Sequence, residues 1–354
     1  MLLPEFRQQI DAIDAKIVEL LNERAKLSKA IGEFKLKNNR EIYSPDRETQ
    51  ILARIKALNR GQISDSALQA IYREIMSCSL SIEKPLKIAV LGKMGSYTHS
   101  AAIKIFGLQM EYISCGRIPE IFQKVEQAQC NYGVVPVENS TEGAVTPTFD
   151  MLVDSDLKIC RQSLMEISHN LLSRARSLSQ IKKVYSNPQV FNQCRSWLAA
   201  NLPAAEDIYV DSTTHAAQIA ARSKNSAAIA SLEVASIYRL PVLRKSIHDV
   251  AHNSTRFLVI GENDAAPTGK DKTSILFSIK DRVGALYSML APFYRNKINL
   301  TKIESRPSKK KAWDYYFFVD FEGHRQDPPV KKALEQLEEM CKYLKILGSY
   351  PVLE

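Results

Sequence analysis

The sequence lacks the features of membrane-spanning and secreted proteins. Its 354 residues contain no uninterrupted apolar run of the ~18 residues that a membrane-spanning helix needs, so we expect no transmembrane segment. The first seven residues carry an early acidic side chain and no apolar core, which argues against a signal peptide. We therefore expect no membrane partner.

Cysteine is scarce and scattered. The six cysteines form no Cys-x-x-Cys pair, whereas disulfide frameworks and zinc sites use cysteines at short, repeated spacings. We expect free thiols, a cytoplasmic location and no metal site. Glycine is also limited: the turn G-K-M-G at residues 92–95 supplies two glycines where a dinucleotide-binding turn uses three, so no cofactor is expected.

Charge of one sign is only mildly in excess. The formal net charge is +9, and the chain has no Lys/Arg block or basic–aromatic stripe of the kind that binds nucleic acid. We expect no nucleic-acid partner, and the balance is compatible with small polyanionic substrates. With 45% hydrophobic and 25% charged residues, the chain is long enough for two or three globular domains.

An apolar seam defines the first predicted helix. Its positions recur at alternating steps of four and three residues: Phe6, Ile10, Ile13, Ile17, Leu20, Arg24, Leu27, Ile31 and Phe34. Such a helix is about 45 Å long, so it must pack against another helix or another chain. Arg24 stands within the seam, and because a buried unpaired charge costs several kcal/mol, it requires an anionic partner.

Two further helices are predicted before residue 84. The second begins at Ser44, a good N-cap that is followed by proline, and the third spans Asp65 to Glu83. The three helices present polar side chains on otherwise apolar faces: Arg24, Lys35, Arg47, Glu48, Ser79 and Glu83. These groups either form salt bridges among themselves or bind a ligand, and their excess of cations favours a small dianion.

Four short motifs lie in this helical part: F-R-Q-Q-I-D-A-I-D, L-L-N-E-R, G-E-F-K and P-D-R-E. Together they resemble the all-helical chorismate mutases, which rearrange chorismate to prephenate. By this resemblance three arginines bind the substrate carboxylates: Arg7, Arg24 and Arg47. Arg7 would reach into the site of a partner chain. The remaining matched positions are Lys35 at the breaking ether oxygen, Glu48 at the ring hydroxyl and Ser79 in an assisting role. No nucleophile is needed, because the site folds the substrate and stabilises charge on oxygen.

Glu83 departs from part of this family, in which some members carry glutamine as one of the two donors to the ether oxygen. An ionised carboxylate cannot donate a hydrogen bond, whereas a protonated one can. We therefore hypothesise that Glu83 has a raised pKa and is protonated in the active enzyme, so that mutase activity falls as the pH rises. Ser44, where many members carry aspartate, caps a helix equally well.

Short apolar strands alternate with helical segments between Leu86 and Ile260. This alternation favours parallel sheets with helices on both faces, and the polar stretch from Arg174 to Lys183 indicates two lobes. The stretch from Gly133 to Val145 is a β-branched strand followed by the polar cluster E-N-S-T-E-G, at the point where open α/β sheets bind ligands. The alternative is a solvated turn. Similar clusters after other strands are either helix caps or parts of a site for a small carboxylate.

Several of these clusters belong to longer motifs: G-K-M-G-S-Y-T-H, V-V-P-V-E-N-S-T-E-G, I-S-H-N-L-L, Y-S-N-P-Q-V-F-N-Q-C, I-H-D and N-S-T-R-F. The set resembles prephenate dehydratase, which removes water and carbon dioxide from prephenate to give phenylpyruvate. That family has a two-lobed fold like type II periplasmic binding proteins. By this resemblance Thr255 is the key hydroxyl, and four residues surround it: Glu138, Asn139, Ser186 and Gln193. Arg256 is the expected partner of a substrate carboxylate.

Two residues depart from the dehydratase pattern. Lys93 stands where the family usually has proline, and Asn187 stands where it usually has histidine. Neither change removes a group assigned to catalysis, although both fall in loops beside the expected site. The donor of the proton to the leaving hydroxyl is not fixed by sequence, and we favour Thr255 within a hydrogen-bond network.

The tail follows a linker from Glu262 to Asp271 and shows the order βαββαβ, which predicts a ferredoxin-like plait. Two motifs in it resemble the phenylalanine-binding motifs of the ACT regulatory domain. They are Gly284-Ala285-Leu286 and Glu304-Ser305-Arg306-Pro307. The resemblance implies that L-phenylalanine binds here, between subunits. The alternative is that both motifs are structural turns.

The three resemblances cover nearly the whole chain, in the order of bifunctional chorismate mutase/prephenate dehydratases. They imply an all-α mutase domain (1–84), a two-lobed α/β dehydratase domain (85–262) and a ferredoxin-like α+β ACT domain (271–354). The implied function is two consecutive steps of phenylalanine biosynthesis with feedback inhibition by L-phenylalanine, in a homodimer or larger homo-oligomer. Two alternatives stay open, a catalytically inactive amino-acid sensor and an arogenate dehydratase acting on the aminated substrate.

Overall fold

The computed structural model describes residues 3–38, 40–279, 282–308 and 315–352. Contacts within the chain divide it into two compact units. The first consists of residues 1–87 with 106–111, and the second of residues 88–105 with 112–354. None of the described helices combines the length and the apolar character that crossing a bilayer requires.

The first unit is helical, as the sequence predicts. Its main helices are α1 (Leu3–Lys37), α2 (Pro45–Leu58) and α3 (Asp65–Glu83). Proline starts α2, and the Ser64 side chain caps α3 by accepting a hydrogen bond from the Ala67 amide. A β-carbon on Gly32 of α1 would lie 2.8 Å from the β-carbon of Glu83. The absence of a side chain at Gly32 therefore lets α1 approach the end of α3 closely.

Much of the apolar seam of α1 faces outward within one chain. The side chains of Ile10, Leu20 and Leu27 are 56%, 63% and 68% exposed. Scattered single apolar residues are ordinary on a surface, but a continuous apolar stripe is typical of an interaction site. The expectation that this helix needs a further packing partner therefore still stands.

The rest of the chain alternates strands with helices. The helices are α4 (Tyr97–Phe106), α5 (Ile118–Glu126), α6 (Thr146–Asp154), α7 (Pro188–Gln193), α8 (Arg195–Asn201), α9 (Thr213–Ala220), α10 (Leu232–Tyr238), α11 (Ala285–Arg295) and α12 (Pro328–Met340). The strands are β1 (Lys87–Leu91), β2 (Glu111–Cys115), β3 (Tyr132–Asn139), β4 (Gly143–Ala144), β5 (Lys158–Glu166), β6 (Asn170–Ser173), β7 (Lys183–Ser186), β8 (Glu206–Tyr209), β9 (Ser226–Ala230), β10 (Val242–Arg244), β11 (Ser254–Gly261), β12 (Asp271–Ser278), β13 (Leu300–Pro307), β14 (Tyr315–Glu322) and β15 (Tyr343–Pro351).

Two sheets build the two lobes predicted for the middle of the chain. The first sheet has the order β2-β1-β3-β11-β5, with β4 added to β3, and the second has the order β10-β6-β9-β7-β8. β1 is parallel to β3, and β7 is parallel to both β8 and β9. Each lobe has its own core, around Ile121 and Phe122 in the first and around Val184 and Ile229 in the second.

The expectation of parallel sheets is wrong at β6, which runs antiparallel to β9 and β10, and at β11, which runs antiparallel to β3 and β5. The chain returns from the second sheet and enters β11 at the edge where β3 ends, with Thr255 opposite Asn139. A strand entered from that edge has to run against β3. Its direction brings the polar start of β11 next to the polar end of β3.

The tail forms the predicted βαββαβ plait. Its antiparallel sheet has the order β13-β14-β12-β15. One face of this sheet belongs to a core with Phe277, Val319 and the helical residue Leu337. The opposite face shares a core with the first sheet, in which Phe318 lies with Phe149. The plait is therefore packed directly on the sheet that contains β3 and β11.

Candidate active sites

The helical unit brings four of the predicted mutase residues together between α1 and α3. Arg24 donates a hydrogen bond from Nη1 to Oγ of Ser79. Lys35 Nζ lies 3.5 Å from Glu83 Oε2 and donates to the carbonyl of Ile42 at 2.6 Å. Arg24, the cation in the apolar seam, thus has a polar partner on α3. Both Arg24 and Lys35 also interact electrostatically with Glu83.

Burial is the largest influence on Glu83. It raises the pKa of this carboxyl above its usual range and outweighs the opposing effects of Lys35 and Arg24. The direction is the one that a protonated, hydrogen-bond-donating Glu83 requires. The ion pair with Lys35 favours the ionised form, so the balance between the two forms depends on what else occupies the site.

The other predicted mutase residues make different contacts or are exposed. Glu48 accepts a hydrogen bond of 3.4 Å from the Tyr43 hydroxyl. Arg47 is exposed and donates to Gln50 Oε1 at 3.3 Å. Arg7 is also exposed, and along α1 it lies about 25 Å from Arg24. Within one chain, Arg7 is therefore too far from Arg24 to contact the same small molecule.

A cavity of about 520 Å³ lies among the residues of the two α/β lobes. Its walls come from the turn after β1, the turn between β3 and β4, the first turns of α4, α6, α7 and α9, and the start of β11. Helix amino ends carry unsatisfied backbone amides and a partial positive charge, which favours anions. A neighbouring cavity of about 730 Å³ shares Glu142, Gln189 and Gln193 with it. The smaller cavity contains Thr255, the key hydroxyl that the resemblance to prephenate dehydratase implies, and on that expectation we refer to this cavity as the dehydratase pocket.

The structure pairs Thr255 with Asn139 at this pocket. Asn139 Nδ2 donates to Thr255 Oγ1 at 2.8 Å and to Asn253 Oδ1 at 2.8 Å. Asn139 Oδ1 accepts from the Thr141 backbone amide at 2.9 Å, which fixes the orientation of the side-chain amide. Because Thr255 Oγ1 accepts this hydrogen bond, its own proton is available for donation to a bound molecule.

Gln193 joins the same network from the second lobe. Its Nε2 donates to Glu142 Oε1 at 2.6 Å, and its Oε1 accepts from Asn253 at 3.2 Å and faces His169 Nε2 at 2.6 Å. Since Glu142 is an acceptor, the amide oxygen must face His169, whose Nε2 therefore carries a proton. Burial lowers the pKa of His169 to about 4, so its ring is neutral near pH 7.

Sequence reasoning did not assign roles to Glu142 and His169, although both line the pocket. Both residues lie inside motifs that the sequence analysis quoted, E-N-S-T-E-G and I-S-H-N-L-L. Their presence in these motifs was the sequence signal that could have identified them as site residues. Their partner, Gln193, is more than 20 residues away from either along the chain, so the sequence could not indicate the contact.

Glu138, Arg256 and Ser186 lie outside the dehydratase pocket. β3 continues through Asn139, and side chains alternate between the two faces of a strand, so Glu138 points away from Asn139 and Arg256 points away from Thr255. Arg256 Nη1 lies 2.5 Å from Asp320 Oδ2 of the plait. The geometry therefore gives no support to Arg256 as a partner of a substrate carboxylate. Ser186 is fully buried and donates to the Ile229 carbonyl at 3.0 Å.

The two departures from the dehydratase pattern take different places. Asn187 caps α7, accepting a hydrogen bond of 2.9 Å from the Val190 amide, and it also lines the pocket. Lys93 lines the pocket as an exposed side chain. Of the described lining residues, Lys93 and Glu142 are the ones that carry a formal charge.

The residues of the two phenylalanine motifs occupy a helix start and an edge strand of the plait. Gly284 precedes α11 with a φ of 72°, a left-handed conformation that favours glycine. Ala285 is buried and Leu286 half-buried at the start of that helix. The second motif, Glu304, Ser305, Arg306 and Pro307, ends β13. Arg306 Nη2 donates to Thr146 Oγ1 at 2.8 Å, and Thr146 lines the dehydratase pocket.

Three family models match the chain in sequence order. The model for chorismate mutase type II matches residues 6–84, the model for prephenate dehydratase matches residues 88–265, and the model for the ACT domain matches residues 273–339. These families and their order are those that the sequence motifs indicate.

Curated proteins and a solved structure resemble long stretches of the chain. A bifunctional chorismate mutase/prephenate dehydratase of Aquifex aeolicus is 50% identical over 99% of this chain and 98% of the relative. The protein of the same name from Neisseria gonorrhoeae is 44% identical over 99% of this chain and 97% of the relative. The structure of prephenate dehydratase from Arthrobacter aurescens in complex with L-Phe is 31% identical, with a TM-score of 0.69 over 75% of this chain and 90% of that chain.

Proposed function

The chain belongs to the family of bifunctional chorismate mutase/prephenate dehydratases, and on that premise we propose where its two reactions take place and how the second is regulated. It is a two-activity enzyme of phenylalanine biosynthesis, an isomerase and a lyase. We assign the mutase to residues 1–84, the dehydratase to residues 85–262 and regulation to residues 271–354. Its free cysteines suit the reducing cytoplasm, which we propose as its location.

The mutase reaction is assigned to the cluster between α1 and α3. The contact of Arg24 with Ser79 beside the Lys35–Glu83 pair is the observation that carries this assignment. Arg24 would bind a carboxylate of chorismate, while Lys35 and protonated Glu83 would donate to the ether oxygen as its bond breaks. Catalysis then comes from holding the substrate folded and from stabilising negative charge on oxygen.

A second copy of the chain is proposed to complete the mutase site. The exposed stripe of α1, with Ile10 56% and Leu20 63% exposed, suits the packing of a second helix. Arg7 lies on this helix, away from its own chain's Arg24, and an adjacent copy would bring it to a site. We therefore propose a homodimer formed through α1.

The dehydratase reaction is assigned to the pocket that contains Thr255. The bond from the ring carbon to its carboxylate breaks, carbon dioxide leaves, and the electron pair enters the ring as the carbon–oxygen bond to the hydroxyl breaks. The leaving hydroxyl needs a proton to depart as water, and Thr255 supplies it. Asn139, which donates to Thr255 Oγ1, turns the threonine proton towards the substrate.

The carboxylates of prephenate need partners other than Arg256. Lys93 is the cation among the described lining residues of the pocket. The hydroxyls of Ser212, Thr213 and Thr214 at the start of α9 also line it. A lysine with hydroxyls and helix amino ends is sufficient to bind a dianion.

Phenylalanine is proposed to act at the motifs of the plait, between subunits. The hydrogen bond from Arg306 to Thr146 connects the second motif to the pocket wall. A ligand that competes for Arg306 would loosen that wall and lower dehydratase activity. Linkage requires that prephenate analogues alter the affinity for phenylalanine by the same factor.

One assay tests the whole proposal. Purified protein is given chorismate, and chorismate, prephenate and phenylpyruvate are followed with and without phenylalanine. We expect phenylpyruvate to form and phenylalanine to suppress it. Accumulation of prephenate alone would contradict the dehydratase assignment, and an absence of chorismate consumption would favour the sensor. Parallel assays with prephenate and arogenate decide between the two dehydratase substrates.

A further inference from the structure

Four charged side chains lie on the face of β3 and β11 opposite to the dehydratase pocket. We call them the inter-sheet ion network: Glu138, Arg256, Lys302 and Asp320. Arg256 Nη1 lies 2.5 Å from Asp320 Oδ2, and Nη2 lies 3.4 Å from Glu138 Oε2. Lys302 Nζ lies 2.8 Å from Glu138 Oε1. The network connects the dehydratase strands to the plait, which supplies Lys302 and Asp320.

Asp320 holds Arg256 from a fixed position. Its second carboxylate oxygen, Oδ1, accepts a hydrogen bond of 2.6 Å from Ser274. The side chains of Arg256 and Asp320 are 14% and 10% exposed, respectively. Burial by itself lowers the pKa of Arg256, but Asp320 and Glu138 more than offset this, so the pKa is raised and the guanidinium stays charged.

The network matters more for geometry than for net stability. A buried ion pair contributes little compared with apolar packing, yet removal of one partner leaves a buried charge uncompensated. Without Asp320, Arg256 would keep Glu138, at 3.4 Å, as a carboxylate partner, and its side chain would shift towards that anion or towards water. Such a shift would change how the start of β11 is held against the plait.

Thr255 and Asn139, the pair assigned to the dehydratase reaction, directly neighbour Arg256 and Glu138 of the network along their strands. In the ladder Thr255 lies opposite Asn139 and Arg256 lies opposite Glu138, and the register shifts directly after Arg256. The shift interrupts the ladder with β3 only, because β11 stays paired with β5 without a shift from Ser254 to Val259. Side-chain contacts at Arg256 therefore contribute mainly to how β11 is positioned against β3. Because side chains alternate along a strand, Glu138 and Arg256 face the ion network, while their neighbours Asn139 and Thr255 face the dehydratase pocket.

We propose that Asp320 is a positioning residue for the dehydratase reaction: by holding Arg256, it fixes Thr255 and Asn139 at the dehydratase pocket. This inference rests on the proposed function, since it takes Thr255 as the proton donor. It assigns the plait a part in catalysis that requires no bound phenylalanine. The unliganded regulatory domain thereby supports the geometry of the active site.

The test compares Asp320→Asn with wild type in the full-length enzyme without phenylalanine. A displacement of about 1 Å at a reacting group lowers the rate by roughly 10²-fold, so we expect the dehydratase kcat to fall at least 10-fold. The KM for prephenate should change much less, because the groups that bind carboxylates lie elsewhere in the pocket. Asp320→Glu, which keeps the charge, should recover much of the lost kcat.

Asp264→Asn is the matched control. It removes an aspartate–arginine contact of 3.0 Å, with Arg325, that lies beyond the other end of β11. The dehydratase kcat of this variant should match that of wild type. The mutase rate, measured in the same samples, should be unchanged in both variants and reports the folding of the first unit.

Two results would overturn the inference. The first is that Asp320→Asn and Asp264→Asn have the same dehydratase kcat, while the separate variant Thr255→Val is inactive. The other is an equal loss in Asp320→Asn and Asp320→Glu. If Asp320→Asn does not fold, Arg256→Met removes the other partner of the same ion pair, and an unchanged dehydratase kcat there would also contradict the inference. Wild type without dehydratase turnover, or an active Thr255→Val, would instead refute the proposed function.

Discussion

The helical cluster and the dehydratase pocket, each of which we propose to bind a dianion, differ in the number of cations that they provide. Arg24 and Lys35 face the first site, whereas the described lining of the second carries one cation, Lys93, and one acid, Glu142. The rearrangement develops negative charge on an ether oxygen, which cations stabilise. The dehydration is driven by aromatisation and needs a proton at the leaving hydroxyl. If the two reactions are assigned as we propose, the charge of each site matches the charge that develops during its reaction and not the charge of its substrate.

The two sites also differ in how much of them one chain provides. The dehydratase pocket gathers strand ends and helix starts from two sheets of the same chain. The mutase cluster lies beside a helix whose apolar stripe is largely exposed, and Arg7 is remote from it. We therefore propose that the first reaction depends on association of two chains, whereas the second pocket is formed by one chain.

The largest effect is expected at Thr255. Thr255→Val removes the hydroxyl with little change in shape, and loss of a general acid lowers rates by about 10²- to 10⁴-fold. Phenylpyruvate formation from prephenate should fall accordingly, while the mutase rate stays unchanged. Thr255→Ser, which retains the hydroxyl, should recover most of the activity. Equal rates for the valine and serine variants would show that the hydroxyl is not the donor.

A large effect on the other reaction is expected at Arg24. Arg24→Met keeps the apolar stem but removes the charge, and the loss of one such stabilising group costs about 10²- to 10³-fold. Chorismate consumption should fall by this factor while dehydration of supplied prephenate is unaffected. Arg54→Met, at an exposed arginine of α2, is the control. A similar loss in both variants would contradict the special position of Arg24.

A smaller effect is expected for the cation of the dehydratase pocket. A hydrogen bond to a charged group contributes about 1.5–3 kcal/mol, so Lys93→Met should raise the KM for prephenate at least 10-fold. The kcat should change little, since Lys93 is assigned to binding. Lys183→Met removes a surface lysine of the second lobe and should leave KM unchanged. An unaltered KM for Lys93→Met would show that other groups bind the carboxylates.

The smallest effect is expected at Glu83, where a substitution should change the shape of the pH profile of mutase activity. Burial raises the pKa of Glu83, so the protonated, donating form persists above the usual range and is lost as the pH rises through the raised value. Wild-type mutase activity should therefore decline with rising pH. Glu83→Gln donates at every pH, and its profile should be flat from about pH 5 to 9. A flat wild-type profile would refute the protonated glutamate.

Motifs and periodicity were sufficient for much of the fold and part of each site. The seam predicted α1, and the resemblance to prephenate dehydratase predicted that Asn139 lies near Thr255, a pair that the structure joins at 2.8 Å. The assignment of Arg256 to a substrate carboxylate depended on which face of β11 its side chain occupies. That face is known only once the extents of β3 and β11 are known, because side chains alternate along a strand. Its partner Asp320 lies 64 residues further on, in another sheet. Contacts of this range and the direction of β11 have no local signal in the sequence.

The most direct test of two separate sites is complementation. Arg24→Met and Thr255→Val are each given chorismate alone and then as an equal mixture, and phenylpyruvate is measured. Neither variant alone should form phenylpyruvate at an appreciable rate, because each lacks one step. The mixture should form it, since prephenate made by Thr255→Val is dehydrated by Arg24→Met. A mixture no more active than its parts would contradict the assignment of the two reactions to two independent sites.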